Sequence, residues 1–344
     1  MSGLTLTARC HCSFASFTYT IPHSALPLKA SLCHCNSCRY ASGQLLATFA
    51  VMPSTIPRPD FSRLNSYASS SELTRYSCPK CGAYVGNTEP DEWEFASGML
   101  TSTEGLLDRV QMWIEDTKDG GASIWLQKGH GTNPIRRLRD RQSAEATDSI
   151  IEEMRDKSQQ EISSSTKPRP SYLTASCHCG AISFSLRPPP THKYPAFLDA
   201  CTTCRQTSGF EITSWIHAPQ SHLSTTPNPA NPSSDSSSPS TSTSASTPHP
   251  SNPNLLHYSS SEGVHRYSCK TCTASAFYVN DKRGDSVDIA MGLLRGQGGA
   301  RAEEWVEWMR GPQYVGDAVD GQAGLVGALG EGMGHLPAEE EDED

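Results

Sequence analysis

The chain has 344 residues, of which 36% are hydrophobic and 19% charged, with a formal net charge of −9. Six of those negative charges form the terminal run Glu339 to Asp344, so no basic field exists to attract nucleic acid. No apolar run approaches the roughly 18 residues that a membrane span needs, which argues against a membrane partner. Thirteen cysteines fall short of a secreted disulfide scaffold, at roughly 8–10% of residues. Met1 to Arg9 shows no basic stretch followed by an apolar core, so no signal peptide is expected. The expected compartment is the cytoplasm, with the nucleus left open, and the cysteines are expected to be metal ligands.

In chain order, Leu4, Leu6, Ala8, Cys10 and Cys12 alternate strictly. A period of two predicts a half-buried strand that turns both thiols to one face and His11 to the other. Phe17, Tyr19 and Ile21 predict a second strand, and Leu45 to Met52 a third. Between them lies Cys33-His34-Cys35-Asn36-Ser37-Cys38, which offers three thiols close together. Strand alternation turns His34 away from Cys33 and Cys35, so it is not expected to be a fourth ligand. The remaining histidines read as ordinary surface residues. Ser42-Gly43 and Pro79-Lys80-Cys81-Gly82 are turn signals, the second a knuckle bringing Cys78 and Cys81 together. Residues 129–170 read as a charged linker. It contains the run Arg136-Arg137-Leu138-Arg139-Asp140-Arg141 and a helix candidate over Gln142 to Gln160. A solvated linker is favoured there over a partner-binding patch.

The pattern then repeats. Cys10 and Cys12 recur as Cys177 and Cys179 at an offset of 167, and Cys35 and Cys38 as Cys201 and Cys204 at 166. Cys78 and Cys81 recur as Cys269 and Cys272 at 191. Arg75-Tyr76-Ser77-Cys78 matches Arg266-Tyr267-Ser268-Cys269, and Tyr67 matches Tyr258. Two nearly constant offsets predict tandem copies with one insertion in the second. The insertion, about 220–256, holds Ser233 to Asn254, where 17 of 22 residues are Ser, Thr or Pro. Such a segment cannot bury enough apolar surface to order itself and is a candidate phosphorylation target. Copies are expected over 1–128 and 171–315, followed by a flexible acidic tail over 316–344.

Cys10, Cys12, Cys78 and Cys81 suit a closed tetrahedral zinc site with a structural role, as do Cys177, Cys179, Cys269 and Cys272. Cys33, Cys35 and Cys38 suit a zinc site with a vacant fourth position, the composition of a catalytic centre. The matching positions of the second copy read Asp199, Cys201 and Cys204. That site is harder and less electron-rich, so the first copy is expected to hold the chemistry. Arg39 follows the third thiol and is a candidate for pairing with a substrate carboxylate.

Taken together, Cys-x-Cys, Cys-His-Cys-x-x-Cys-Arg-x-x-Ser-Gly and Cys-x-x-Cys-Gly resemble the glutathione-dependent formaldehyde-activating enzyme family, whose domain also occurs in centromere protein V. The resemblance covers about residues 3–126 and 171–310. It implies a mainly β, β-tent fold in tandem, with structural zinc on Cys10, Cys12, Cys78 and Cys81 and catalytic zinc on Cys33, Cys35 and Cys38. It also implies carbon–sulfur lyase chemistry joining glutathione, or another small thiol, to an aldehyde, or reversing that step. Two departures bear on turn geometry: Ser13 stands where the second copy has Gly180, and Thr273 where the first has Gly82. The other reading is a non-catalytic, zinc-stabilised binding module, with the Ser/Pro loop or the acidic tail contacting a protein partner. The three-thiol cluster favours the enzyme, because a purely structural module does not need it.

Overall fold

The structure is a computed structural model that describes residues 3–127, 135–141, 144–164, 171–189, 193–224, 252–321 and 324–334. Strands dominate, and the two halves repeat most of their elements in the same order. The first half contains β1 (Gly3–Arg9), β2 (Ser16–Pro22), β3 (Leu28–Cys33), β4 (Ala47–Val51), β5 (Asn65–Ala68), β6 (Thr74–Ser77), β7 (Tyr84–Thr88), β8 (Trp93–Ala96) and β9 (Leu107–Met112). A two-residue strand, β10 (Arg136–Arg137), follows. The second half contains β11 (Leu173–Ser176), β12 (Ser183–Leu186), β13 (Tyr194–Asp199), β14 (Thr213–Pro219), β15 (Leu223–Ser224), β16 (Leu255–Ser261), β17 (Val264–Cys269), β18 (Ser275–Asn280), β19 (Ser286–Ala290) and β20 (Val306–Trp308). The helices are α1 (Asn36–Ser42), α2 (Asp148–Ser164), α3 (Thr202–Ser208) and α4 (Leu325–Gly332).

The large sheet of the first half runs β10-β9-β3-β4-β8-β7-β6-β5, and that of the second runs β16-β17-β18-β19-β14-β13-β20. Read from the other end, the second order matches the first strand for strand, except that β10 has no counterpart. Both large sheets share one parallel pairing, β3 with β9 and β13 with β20, and in the first β10 adds a second parallel pair with β9. β1 and β2 form a small separate sheet, and β11, β12 and β15 form its larger equivalent. The alternating apolar residues bury where alternation places them: Leu6, Ala8 and Ile21 in one core, Leu173, Ala175, Phe184 and Leu186 in the other.

Several expectations change. Cys10 and Cys12 lie not on β1 but in the turn after it, closed by Ser13 N donating to Cys10 O at 2.9 Å. Once a knuckle turn supplies the convergence, strand geometry is no longer needed. Residues 316–344 are not simply a tail. α4 buries Leu325, Val326, Ala328 and Leu329 against the turn Gly121–Leu126 of the first half. The stretch 129–170 contains β10 and α2, whose Ile151 is buried with Ile114 and Ala146. Three of the four arginines of its basic run are paired within the chain: Arg137 to Asp148, Arg139 to Glu115, and Arg141 to Glu89 and Glu92. The short helices α1 and α3 have no counterpart in the sequence reading, because seven residues are too few for periodicity to register. Residues 225–251, most of the Ser/Pro/Thr insertion, lie outside the described residues. Its two flanks are ordered, with Leu223–Ser224 and Leu255–Ser261 in strands.

The two halves are not beads on a string. One core cluster joins Leu32, Leu45 and Leu46 of the first to Leu198, Ala200 and Ile212 of the second. The contacts across it are reciprocal, as in a two-fold dimer. Leu45 N donates to Ser214 Oγ at 2.8 Å, and Glu211 N to Thr48 Oγ1 at 3.1 Å. Gly43 and Gly209 both have positive φ, 76° and 93°. A Cβ added to either would lie 2.1 Å from a carbonyl oxygen of the opposite half, Ser275 O or Tyr84 O. Only glycine permits both the left-handed turn and that approach.

Candidate metal centres and the cavities beside them

In each half the turn after the first strand, β1 or β11, faces the turn at the end of β6 or β17, which brings four thiols together. The Sγ atoms of Cys10, Cys12, Cys78 and Cys81 lie within 4.8 Å of one another, as do those of Cys177, Cys179, Cys269 and Cys272. Individual separations are 3.5–3.8 Å, for example Cys12 to Cys78 at 3.5 Å and Cys177 to Cys269 at 3.8 Å. All are far from the roughly 2.05 Å of a disulfide. They match the edge of a tetrahedron with metal–sulfur bonds of about 2.3 Å, which is about 3.8 Å. All thirteen cysteines are free. Four soft, mostly buried ligands with no open side fit a structural metal, so the residues present suit the ion that the sequence implies.

The turns reach the same geometry with different residues. Ser13 (φ 59°) does what Gly180 (φ 75°) does in the second half, and Thr273 (φ 66°) does what Gly82 (φ 75°) does in the first. A β-branched residue held left-handed costs on the order of 1–2 kcal/mol. Thr273→Gly is therefore expected to stabilise the chain by about 0.5–1 kcal/mol, after the entropy glycine regains on unfolding. A rise in the urea midpoint at unchanged slope measures it.

The second pair of centres lies where β3 and β13 run into the short helices α1 and α3. Cys33 ends β3. Cys35 is the N-cap of α1, its Sγ accepting from Cys38 N at 3.2 Å. The three Sγ atoms form a group within 4.8 Å, and so do Asp199, Cys201 and Cys204. Cys33 and Cys35 donate to Cys38, and Arg75 beside it adds its positive charge, so Cys38 is held well below the usual thiol range. It is the natural thiolate of the three. His34 is fully buried and outside the group, held neutral by burial with its pKa lowered to about 4.

Arg39 does not face the site. It is 3% exposed, and its Nη1 donates to Asn36 Oδ1 at 3.1 Å. One position beyond Cys38 on α1, its side chain leaves the helix about a quarter-turn away from the thiol. Its counterpart Arg205 donates to Gly98 O at 2.7 Å and Leu100 O at 3.0 Å, across the join between halves. The arginine that reaches the site is Arg75, from β6. It is 2% exposed, with both Nη atoms 3.7 Å from Cys38 Sγ and Nη1 3.0 Å from Tyr84 Oη. Its counterpart Arg266 reaches Cys204 Sγ at 3.4 Å. The repeated Arg-Tyr-Ser-Cys string was visible in the sequence, but only the sheet shows where its arginine points.

Each of these centres opens into a cavity. The first, about 550 Å³, is lined by the three cysteines and Arg75, by Phe49, Val51, Met112 and Trp113, and by Lys29, Glu89, Glu92 and Glu94. The second, about 380 Å³, is lined by Asp199, Cys201 and Cys204 together with Arg266, Tyr278, Arg283, Asp288 and Tyr314. The strand registers pair Val51 with Glu94 and His217 with Asp288, so Glu94 and Asp288 hold equivalent positions. They are in different electrostatic states. Asp288 is tied to Arg283 at 2.6 Å and to His217 at 2.7 Å. Glu94 accepts from Asn87 Nδ2 at 2.9 Å and pairs with no cation among the described residues. Burial, with Cys38 and Glu92 nearby, pushes its pKa up to about 8. Asp199 is also engaged, accepting from Cys201 N at 2.7 Å and Cys204 Sγ at 3.3 Å.

Among the described residues no helix is long and apolar enough to cross a membrane. The model of one family, described as glutathione-dependent formaldehyde-activating enzyme, matches residues 5–127 and 172–307. No curated protein and no solved structure matches the chain.

Proposed function

We propose a reaction from one premise: the chain belongs to the glutathione-dependent formaldehyde-activating enzyme family. The reaction is the reversible addition of a small thiol, glutathione in the family's case, to an aldehyde such as formaldehyde. It is a carbon–sulfur lyase reaction, assigned here to the first copy. The observation that supports it most is the convergence of three thiols, a buried arginine and the Glu94 carboxyl on one cavity. Zinc is the proposed metal, held by Cys33, Cys35 and Cys38. Bound there, it supplies a site at which a thiol loses its proton near neutral pH.

The chain's own residues do the rest. Arg75 holds Cys38 in place and offsets its charge. Phe49, Val51, Met112 and Trp113 form apolar walls that exclude bulk water. Lys29, exposed at the cavity, offers a cation to a thiol substrate's carboxylate. Glu94 moves the proton. As the sulfur–carbon bond forms, the carbonyl π pair moves to oxygen, which takes the Glu94 proton to become hydroxyl. The proton released by the incoming thiol restores Glu94, so the sum is thiol plus aldehyde giving the hydroxymethyl thioether. In the second copy the equivalent Asp288 is engaged by Arg283 at 2.6 Å and by His217 at 2.7 Å, which supports assigning turnover to the first.

The test is metal analysis together with exchange spectroscopy on glutathione and formaldehyde. At least three zinc equivalents, two structural and one more, plus acceleration of adduct formation and breakdown, are expected. The rate should fall as pH rises through about 8, because Glu94 then loses the proton it donates. Glu94→Gln should lower the rate and abolish that limb. A chain without metal, or one that leaves the exchange at its uncatalysed rate, overturns the reading.

A further inference from the structure

The two histidines inside the Cys-His-Cys turns are not surface residues. Each crosses to the opposite half and is anchored there in the same way. His11 N donates to Gln206 O at 3.1 Å, and His178 N to Tyr40 O at 3.0 Å. His11 Nδ1 lies 2.7 Å from Tyr258 Oη, and His178 Nδ1 lies 2.8 Å from Tyr67 Oη. Up to this point the two are equivalent.

Beyond it they differ. His178 Nε2 lies 3.1 Å from Ser37 Oγ, in the first turn of α1 between Cys35 and Cys38. Ser37 Oγ accepts from Arg75 Nη2 at 3.0 Å, and Arg75 donates to Cys38 Sγ and to Tyr84 Oη. Tyr84 Oη in turn donates to Asn87 Oδ1, and Asn87 donates to Glu94. One unbroken hydrogen-bonded chain therefore runs from the four-thiol turn of the second copy to the three-thiol centre and the carboxyl of the first. In the reverse direction, among the described residues, it is cut. Ser37 is replaced by Thr203, to which His11 makes no hydrogen bond, and Tyr84 is replaced by Ser275. Arg266 spends its Nε on Ser260 instead.

We propose that His178 is a positioning residue for the first copy's three-thiol centre, acting through Ser37 and Arg75, and that the second copy is retained partly to supply it. The inference rests on the reading of that centre as the reactive one. The physical case is geometric. A guanidinium 2% exposed has few rotamers, and its fork must be fixed at both ends to face one sulfur. Ser37 fixes Nη2 and Tyr84 fixes Nη1. Ser37 sits in the first turn of the seven-residue α1, and its hydroxyl is aimed by a ring anchored in the second copy's four-thiol turn. Outer-shell partners of this kind orient ligands, and their loss costs about 10–100-fold in activity or metal affinity.

The test uses the full chain as purified, with His178→Ala, Ser37→Ala, the double variant, and His11→Ala as the matched control. Two quantities are read: kcat/KM with glutathione and formaldehyde, and the rate at which iodoacetamide modifies Cys38, followed by peptide mass spectrometry. His178→Ala and Ser37→Ala should each lower kcat/KM about tenfold, chiefly in kcat. Each should speed Cys38 modification several-fold, because a thiolate that loses a hydrogen-bond donor is more nucleophilic. The double variant should be no worse than either single, as expected for residues acting in series. His11→Ala should move neither readout. Equal effects from His11→Ala and His178→Ala, or additive losses in the double variant, would overturn the proposal. Should the chain show no turnover, the proposed function fails and the Cys38 rates still decide this one: unchanged rates in both single variants reject it, and faster rates uphold it. Should His178→Ala not fold, Ser37→Ala reads the same link from its other end.

Discussion

Cys78→Ala is expected to unfold the whole chain, not the first copy alone. A structural zinc contributes folding free energy on the order of 10 kcal/mol, comparable with the entire roughly 5–15 kcal/mol stability of a domain. Cys78 is fully buried, and the core around it contains Phe61, Val85, Phe95 and Met99. The loss cannot stay local. Leu32, Leu45 and Leu46 share a core with Leu198, Ala200 and Ile212, and Arg109 binds both Glu211 of the second copy and Asp320 near the C-terminus, at 2.6 and 2.7 Å. Hydrogen exchange followed by mass spectrometry is the measurement. Protection should collapse in β13 and β14 together with β3 and β4. Persistence of full protection in the second half would show that the copies are independent folding units. Chelation should reproduce the pattern of Cys78→Ala.

Cys35→Ser is expected to do the opposite: leave the fold intact and remove turnover. Serine keeps an N-cap acceptor for Cys38 N, so α1 loses little of the roughly 1 kcal/mol that a cap contributes. What it loses is one soft ligand of three. The rate should drop by more than about 10²-fold, beyond the 10–100-fold typical of an outer-shell residue. Both four-cysteine clusters should keep their metal, and the circular dichroism melt should shift little. Cys201→Ser, at the equivalent position, should cost turnover far less. If the two variants lose activity equally, the chemistry is shared between the copies. If Cys35→Ser melts the chain as severely as Cys78→Ala, the division into structural and reactive centres is wrong.

The ligand sets and the repeat could be read from the sequence because metal ligands come in short local motifs. Cys-x-Cys, Cys-x-Cys-x-x-Cys and Cys-x-x-Cys fix the ligands within a turn, and the offsets of 167, 166 and 191 align the copies. The family match over residues 5–127 and 172–307 agrees with that alignment. Period-two alternation likewise marked β2, through Phe17, Tyr19 and Ile21, since an apolar face has only one side to bury. Tertiary structure alone decided everything that depends on direction across the sheets. It turned Arg39 inward and brought Arg75 to Cys38 from a strand 37 residues away. It made Glu94 and Asp288 register equivalents with different partners, Asn87 for one and Arg283 and His217 for the other. It set His178 against Ser37 across 141 residues. Residue spacing encodes only neighbours along the chain. Which side chain faces which cavity follows from strand order, register and the packing of one copy on the other, and those are settled by burying a shared core.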